Sequence, residues 1–330
     1  MDAKHKKYLP RSGADIPRFA GIPTFMRLPH VDLATARGEV DVGIVGVPWD
    51  GGTTNRPGAR HGPRQMRDLS TMVRSVHHVT GTMPFHAASC ADLGDSSVNP
   101  VDLLDTLERV GAFYADLNDA GVIPLTAGGD HLITLPIMRG IAGGDKQGGR
   151  ALGMVHFDAH TDTWDRYFGD NKYTHGTPFR RAIEEGLLDP KRTIQIGIRG
   201  SLYTPEDKDW GLAQGIRVVE IEEYFDLGPD KVAALAREIV GDGPTYVSFD
   251  VDGLDPVYAP GTGTPEIGGY TTHEAQRMLR GLSGIDIVGA DVVEVSPAYD
   301  QSGNTALVAV TLMFEILCLI AEKVTRQGRK

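Results

Sequence analysis

The stretch Met154-Val155-His156-Phe157-Asp158-Ala159-His160-Thr161-Asp162 couples a short apolar run to an abrupt polar cluster. A run of this kind bounded by polar residues reads as a buried strand, and polar groups directly behind it belong to a strand-end loop. The pattern repeats outward. Val42 to Val47, Ile194 to Ile198, Val218 to Ile221, Tyr246 to Phe249 and Ile285 to Val293 read as further strands. Between them, Asp102 to Leu117, Lys208 to Gln214, Pro229 to Val240 and Thr272 to Leu282 carry apolar residues at i, i+3, i+4, as amphipathic helices do. Alternation of this sort predicts a parallel sheet covered by helices on both faces. In such sheets, ligands bind beyond the carboxyl ends of the strands, so the loops there are where chemistry is expected.

With 330 residues, the chain is long enough for one large α/β domain. No linker-like run of Gly, Ser or Pro divides it, so we expect a loosely attached arm over residues 1–40 and a single domain over 41–330. The formal net charge of −11, without a basic patch, argues against nucleic acid or an anionic membrane as partner. Cys90 and Cys318 stand alone, which excludes a disulfide scaffold and suits a reducing cytoplasm. Residues 1–11 are polar and charged, unlike a secretory leader. Thr305 to Val324 reads as a long helix whose apolar part, Ala306 to Ala321, carries Glu315 and so reads as buried in the core.

Three segments concentrate metal-ligating residue types. Gly128-Gly129-Asp130-His131 follows the apolar Val122 to Leu125 and opens a helix; Asp158 to Asp162 follows Phe157; Ser248 to Pro256 closes a strand with Asp250 and Asp252. In an extended chain Asp158, His160 and Asp162 would project the same way, as would Asp250 and Asp252, while Asp255 shapes the turn. An isolated histidine or a solvated acidic loop would explain each segment alone. Brought together, His131, Asp158, His160, Asp162, Asp250 and Asp252 would be costly to hold without cations, because like charges repel. Spaced aspartates also suggest an EF-hand, but its terminal Glu and flanking helices are missing. Two imidazoles with four carboxylates suit a pair of metals more than one, favour manganese over zinc, and leave nickel open. Such a pair activates water at neutral pH, so metal-assisted hydrolysis is the expected reaction.

The segments GGDH (128–131), DAHTD (158–162) and SFDVDGLDP (248–256) together resemble the signature motifs of the ureohydrolase family of arginases and agmatinases. RPGARHGP (56–63), HGTPF (175–179), GTGTPE (261–266) and EVSP (294–297) are similar to other segments of that family. The resemblance implies an arginase-like three-layer α/β/α domain with a central, mostly parallel sheet. It also implies two Mn²⁺ per chain, with Ni²⁺ as the alternative, held by the six residues above. The reaction it implies is hydrolysis of a guanidino compound to urea and an amine by a homo-oligomer, a trimer or hexamer. It casts His175 as the proton shuttle to the leaving amine, Glu294 as the partner of the guanidinium, and Thr264 as an aid in orienting it. Asp162 joins His175 and Glu294 in the expected catalytic set. His156 is expected in support or packing.

Agmatine, cleaved to putrescine, ranks first as substrate. 4-Guanidinobutyrate, 3-guanidinopropionate and proclavaminate follow closely, arginine ranks well below, and a biguanide served by nickel is a further candidate. An amine-ended substrate would call for a distal carboxylate and an acid-ended one for Arg or Lys. Asp165, Arg166, Asp170 and Lys172, in the 163–174 loop, are expected to border that end. Outside this class stand an inactive paralogue serving as an assembly subunit, against which the full ligand set weighs, and a single-zinc deacetylase, against which the two carboxylate-rich halves weigh.

Overall fold

The computed structural model describes residues 7–142 and 151–328. Its centre is an eight-stranded sheet in the order β2-β1-β3-β8-β7-β4-β5-β6, every neighbouring pair parallel. The strands are β1 (Val42–Gly46), β2 (Cys90–Asp95), β3 (Ile123–Ala127), β4 (Leu152–Phe157), β5 (Leu188–Ile198), β6 (Arg217–Glu220), β7 (Pro244–Asp250) and β8 (Asp286–Val293). Both faces are covered, giving the expected three-layer α/β/α architecture, with a sheet wholly parallel among the described residues. Side-chain alternation divides the core. Val155 and Phe157 of β4 and Val247 and Phe249 of β7 pack beneath the helices Pro229–Val240, Thr272–Gly281 and Asn304–Gly328. Leu152, Met154 and Tyr246 face the opposite layer with Leu103–Ala120, Thr134–Ala142 and Pro178–Glu184.

Helix ends follow local chemistry. Asp102 accepts from the Asp105 amide at the start of Leu103–Ala120, and Gly121, at φ 77°, closes it in the left-handed conformation. Thr271 and Glu274 form a reciprocal capping box ahead of Thr272–Gly281.

The edge strand β2 escapes the hydropathy pattern because its sequence, CADLGD, carries two acids and a glycine. Asp92 is fully buried there, paired with Arg67 Nε at 3.0 Å and accepting from the Phe25 amide at 2.8 Å. The same contact corrects the expectation of a loose arm. Tyr8, Phe25, Met26, Leu28 and Ala36 are buried, and Arg67 stacks over the Phe25 ring at 4.3 Å. Residues 1–6 of that arm lie outside the described residues.

The Asn304–Gly328 helix is long and apolar enough to cross a membrane, with a mean hydropathy of 2.0 over its most apolar window, yet 72% of that window is buried inside the protein. Its charges are matched internally: Glu315 receives Arg280 Nη1 at 2.7 Å and sits 2.9 Å from His77 Nε2, while Lys323 donates to the Ile287 carbonyl. Removing one member of such a set strands the others. Glu315→Ala is expected to destabilise the fold by about 3 kcal/mol, read as a lower Tm by differential scanning calorimetry, with Glu315→Gln losing less.

Candidate active site

Four neighbouring strands at the middle of the sheet, in the order β3-β8-β7-β4, deliver the predicted residues from their carboxyl ends. His131 follows β3, Asp158, His160 and Asp162 follow β4, Asp250 ends β7 with Asp252 in the next turn, and Glu294 follows β8. Glycine makes the convergence possible at Gly129. A Cβ there would lie 1.7 Å from the Trp49 carbonyl oxygen, so the loops after β1 and β3 could not meet.

The six candidate ligands form two linked groups. In the inner one, His131 Nδ1 lies 3.1 Å from Asp158 Oδ2, 3.0 Å from Asp162 Oδ2 and 3.2 Å from Asp250 Oδ2. In the outer one, His160 Nδ1 lies 3.1 Å from Asp252 Oδ2 and 3.4 Å from Asp158 Oδ1. Asp158 therefore turns one oxygen to each group. His131 Nδ1 is buried and makes no hydrogen bond despite three carboxylate oxygens around it. A cation with ~2.1 Å bonds separates adjacent ligand atoms by roughly 3 Å, which is the spacing seen here. The residues fit a pair of divalent cations.

Extended alternation does not bring Asp158, His160 and Asp162 together. The strand ends at Phe157, and Asp162 is left-handed at φ 52°. This turn sends Asp162 to His131, while His160 goes outward to Asp252. Glu294 is also left-handed, at φ 64°. Such conformations cost on the order of 1–3 kcal/mol each and persist where surrounding structure enforces them.

Around the ligands lies a buried polar support. Asp291 accepts from Ser248 Oγ at 2.7 Å, from Thr134 Oγ1 at 2.7 Å and from Tyr246 OH at 2.8 Å. With its hydroxyl proton committed to Asp291, Ser248 accepts from His131 Nε2 at 2.7 Å, which leaves Nδ1 as the nitrogen that would meet a cation. On the other flank, Gln195 Nε2 donates to His156 Nδ1 at 3.1 Å, and His156 Nε2 donates to Asp158 Oδ2 at 2.7 Å. His156 is thus a support, as expected. Sequence reading assigned no role to Ser248, Asp291, Gln195 or Thr54. Asp291 was detectable as an acid in the apolar middle of a strand, which must find partners, and Ser248 shares the strand parity of Asp250.

The charges are strongly coupled. Burial disfavours ionised Asp158, but His156, His131 and His160 overcome it and hold the group well below the usual carboxylate range. Burial and the neighbouring Asp252 and Asp158 push Asp250 well up, and burial with Asp158 raises Asp252 to about 6. Burial opposes protonation of His131 and His160, yet the surrounding carboxylates raise both well above an ordinary histidine.

Beside the inner group, Glu294 Oε1 accepts from the His131 amide and from His175 Nδ1, both at 2.9 Å, leaving Oε2 for another donor. Burial lowers the affinity of His175 for its proton, but Glu294, with Asp162 and Asp130 beyond it, wins and lifts it to about 9. His175 lines a cavity of about 740 Å³ together with Thr54, His160, Asp162 and Thr264, and Glu294 lies buried behind it. Thr264 Oγ1 donates to Asp252 Oδ2 at 3.3 Å, so its hydroxyl already serves a candidate ligand. The 163–174 loop lines the cavity through Trp164 and Tyr167. Of the charges expected to read the distal end, Asp165 pairs with Arg166, Arg180 and Arg181, and Arg166 also pairs with Asp170, because they lie on the outer side of the loop. None of the four lines the cavity.

A parallel sheet with two His-carboxylate groups sharing one aspartate defines a hydrolase-type metal site. Comparison with known proteins supplies the family. The Arginase family model matches residues 40–319, and the chain belongs to that family. It is 62% identical over 319 residues to a protein of Pseudomonas aeruginosa named guanidinopropionase, covering 97% of this chain and 98% of that one. It is 47% identical to the human protein named guanidino acid hydrolase, mitochondrial, over 96% of this chain and 88% of that one. Among solved structures, proclavaminate amidinohydrolase from Streptomyces clavuligerus superposes with a TM-score of 0.87 at 42% identity, over 93% of this chain and 99% of that one. The chain is a hydrolase acting on guanidino C–N bonds, in a family that depends on a pair of metal ions.

Two outcomes check this site. Because the surrounding carboxylates favour the protonated forms of His131 and His160 in the metal-free protein, adding Mn²⁺ to chelator-treated protein near pH 7 should release protons, with affinity rising as pH rises; calorimetry in buffers of different ionisation heat reads both. Ser248→Ala or Asp291→Asn should weaken metal binding about 10–100-fold without touching a ligand, as measured by titration with the same ion.

Proposed function

We propose that this chain hydrolyses a short ω-guanidino carboxylate, with 3-guanidinopropionate as the first candidate, to urea and the corresponding amino acid. The observation that carries the hydrolytic part is the sharing of Asp158 between the His131 and His160 groups, each completed by further carboxylates. His131, Asp158, His160, Asp162, Asp250 and Asp252 would hold two Mn²⁺ ions, or Ni²⁺ as the alternative. Bound there, such ions supply Lewis-acid activation of a water at neutral pH.

The other steps fall to side chains. Glu294 Oε2 accepts the guanidinium in a charge-assisted contact, while Oε1 keeps His175 in place. His175, holding a proton near neutral pH, protonates the departing nitrogen as the C–N bond breaks. The water oxygen remains on the carbon of urea, and the bonding pair leaves with the amine.

The substrate choice draws on the relatives named for guanidino acids at 62%, 48% and 47% identity. One cavity residue supports it. Arg56 lines the wall with Nε on the Gly263 carbonyl and Nη2 on the Thr262 carbonyl and pairs with no carboxylate among the described residues, so its charge is left for an acid-ended substrate. Agmatine, ranked first on sequence, moves behind the guanidino acids, although relatives named agmatinase match at 48% and 43% identity.

A urea-release assay over 3-guanidinopropionate, 4-guanidinobutyrate, agmatine, arginine and proclavaminate, with Mn²⁺ and Ni²⁺ in parallel, tests the proposal. At least a tenfold preference in kcat/KM for 3-guanidinopropionate over agmatine is expected, about 1.4 kcal/mol of discrimination. The reverse order would restore the amine-ended substrate. Asp158→Asn should abolish turnover with every substrate.

A further inference from the structure

One contact at the cavity wall lies outside the expected catalytic set. His175 uses Nδ1 for Glu294 and presents Nε2 to Thr54, whose backbone nitrogen is 3.1 Å away and whose Oγ1 is 2.8 Å away. A backbone N–H can only donate, so it suits an Nε2 without a proton. A hydroxyl can donate or accept, so it suits either state. The Thr54 amide thus meets Nε2 as a lone pair, the form the ring takes after its proton has left, with the hydroxyl beside it, and Thr54 faces the cavity.

The loop bearing Thr54 is fastened at several points. Asp130 Oδ2 accepts from the Gly52 amide at 2.6 Å, the Asp130 amide donates to the Trp49 carbonyl at 2.8 Å, and the His175 amide donates to the Gly52 carbonyl at 2.9 Å. Asp130 is itself fully buried, which makes this a rigid mount. A loop carried by β1 thereby fixes the ring of a histidine carried by the β4–β5 connection.

Resting on the hydrolase reading above, we propose that Thr54 is the positioning residue for His175, holding the ring with Nε2 on the cavity side and stabilising it once the Nε2 proton has left. In that step the Nε2 proton goes to the departing nitrogen, which keeps the electron pair of the broken C–N bond. The ring becomes neutral with its remaining proton on Nδ1, facing Glu294. Nε2, now a lone pair, accepts from the Thr54 amide and hydroxyl.

Thr54→Val removes the hydroxyl while keeping shape and the backbone amide, and Thr54→Ser restores the hydroxyl. With Mn²⁺-loaded protein and 3-guanidinopropionate, Thr54→Val is expected to lower kcat about 10–100-fold, part of what a general acid contributes. KM, metal content and Tm should stay near wild type, and Thr54→Ser should recover most of the rate. A Thr54→Val enzyme with wild-type kcat overturns the inference, as does a change confined to KM, a serine variant no better than valine, or a rate loss that tracks lost metal or lowered Tm. If the wild type releases urea from none of the guanidino compounds, the hydrolase reading falls and this inference falls with it. If the wild type is active and Thr54→Val equals it, only the role of Thr54 is refuted.

Discussion

Burying several carboxylates around a single imidazole nitrogen is the constraint on which the rest of the structure depends. Three oxygens stand within 3.2 Å of His131 Nδ1 in the interior of the molecule. Unbalanced charge there would cost several kcal/mol per group after relaxation, more than one loop could offset. The compensation is spread over histidines on both sides of Asp158, the hydrogen-bonded Asp291, and the positive charge of cations for which the donor set is suited.

A parallel sheet meets this need because all its strands end on the same edge. The four central strands bring carboxyl termini side by side, so residues distant in sequence converge without a long excursion. Side-chain parity then decides depth. Ser248 and Asp291 point to the same face as the ligands above them and bond each other at 2.7 Å, so the sheet acts as a polar platform beneath the site. Hydrophobic residues of opposite parity, Phe157, Phe249 and Val292 among them, close the other face.

Two left-handed residues complete the arrangement. Asp162 and Glu294 both sit directly in the site with positive φ, a conformation that glycine would adopt more readily but without a carboxylate to offer. The strain is held by the ordered loops around them: the Glu294 amide donates to the Gly129 carbonyl, and the Phe179 amide donates to the Asp162 carbonyl. Rigidity of this kind keeps Glu294 between His131 and the proton-bearing His175 instead of letting either carboxylate relax toward solvent.

The sequence by itself determined the alternation of strands and helices, the placement of polar clusters behind strands, and the identity of the six residues that converge. Those are legible because period-two burial and strand-end position are local properties. Edge strand β2 was not, since its two acids and glycine mask a strand whose Asp92 is neutralised by a distant arginine. Nor was the division of labour in DAHTD, because the left-handed turn at Asp162 breaks the alternation that would have aligned the three side chains. The charges of the 163–174 loop misled for a related reason: which side of a loop faces a cavity depends on what packs beneath it. Only the tertiary structure decided that Asp291 and Ser248 orient His131, and that Thr54 meets His175 across 121 positions of chain. A hydrogen bond depends on distances of a few tenths of an ångström between separately folded segments, and no local pattern encodes that distance.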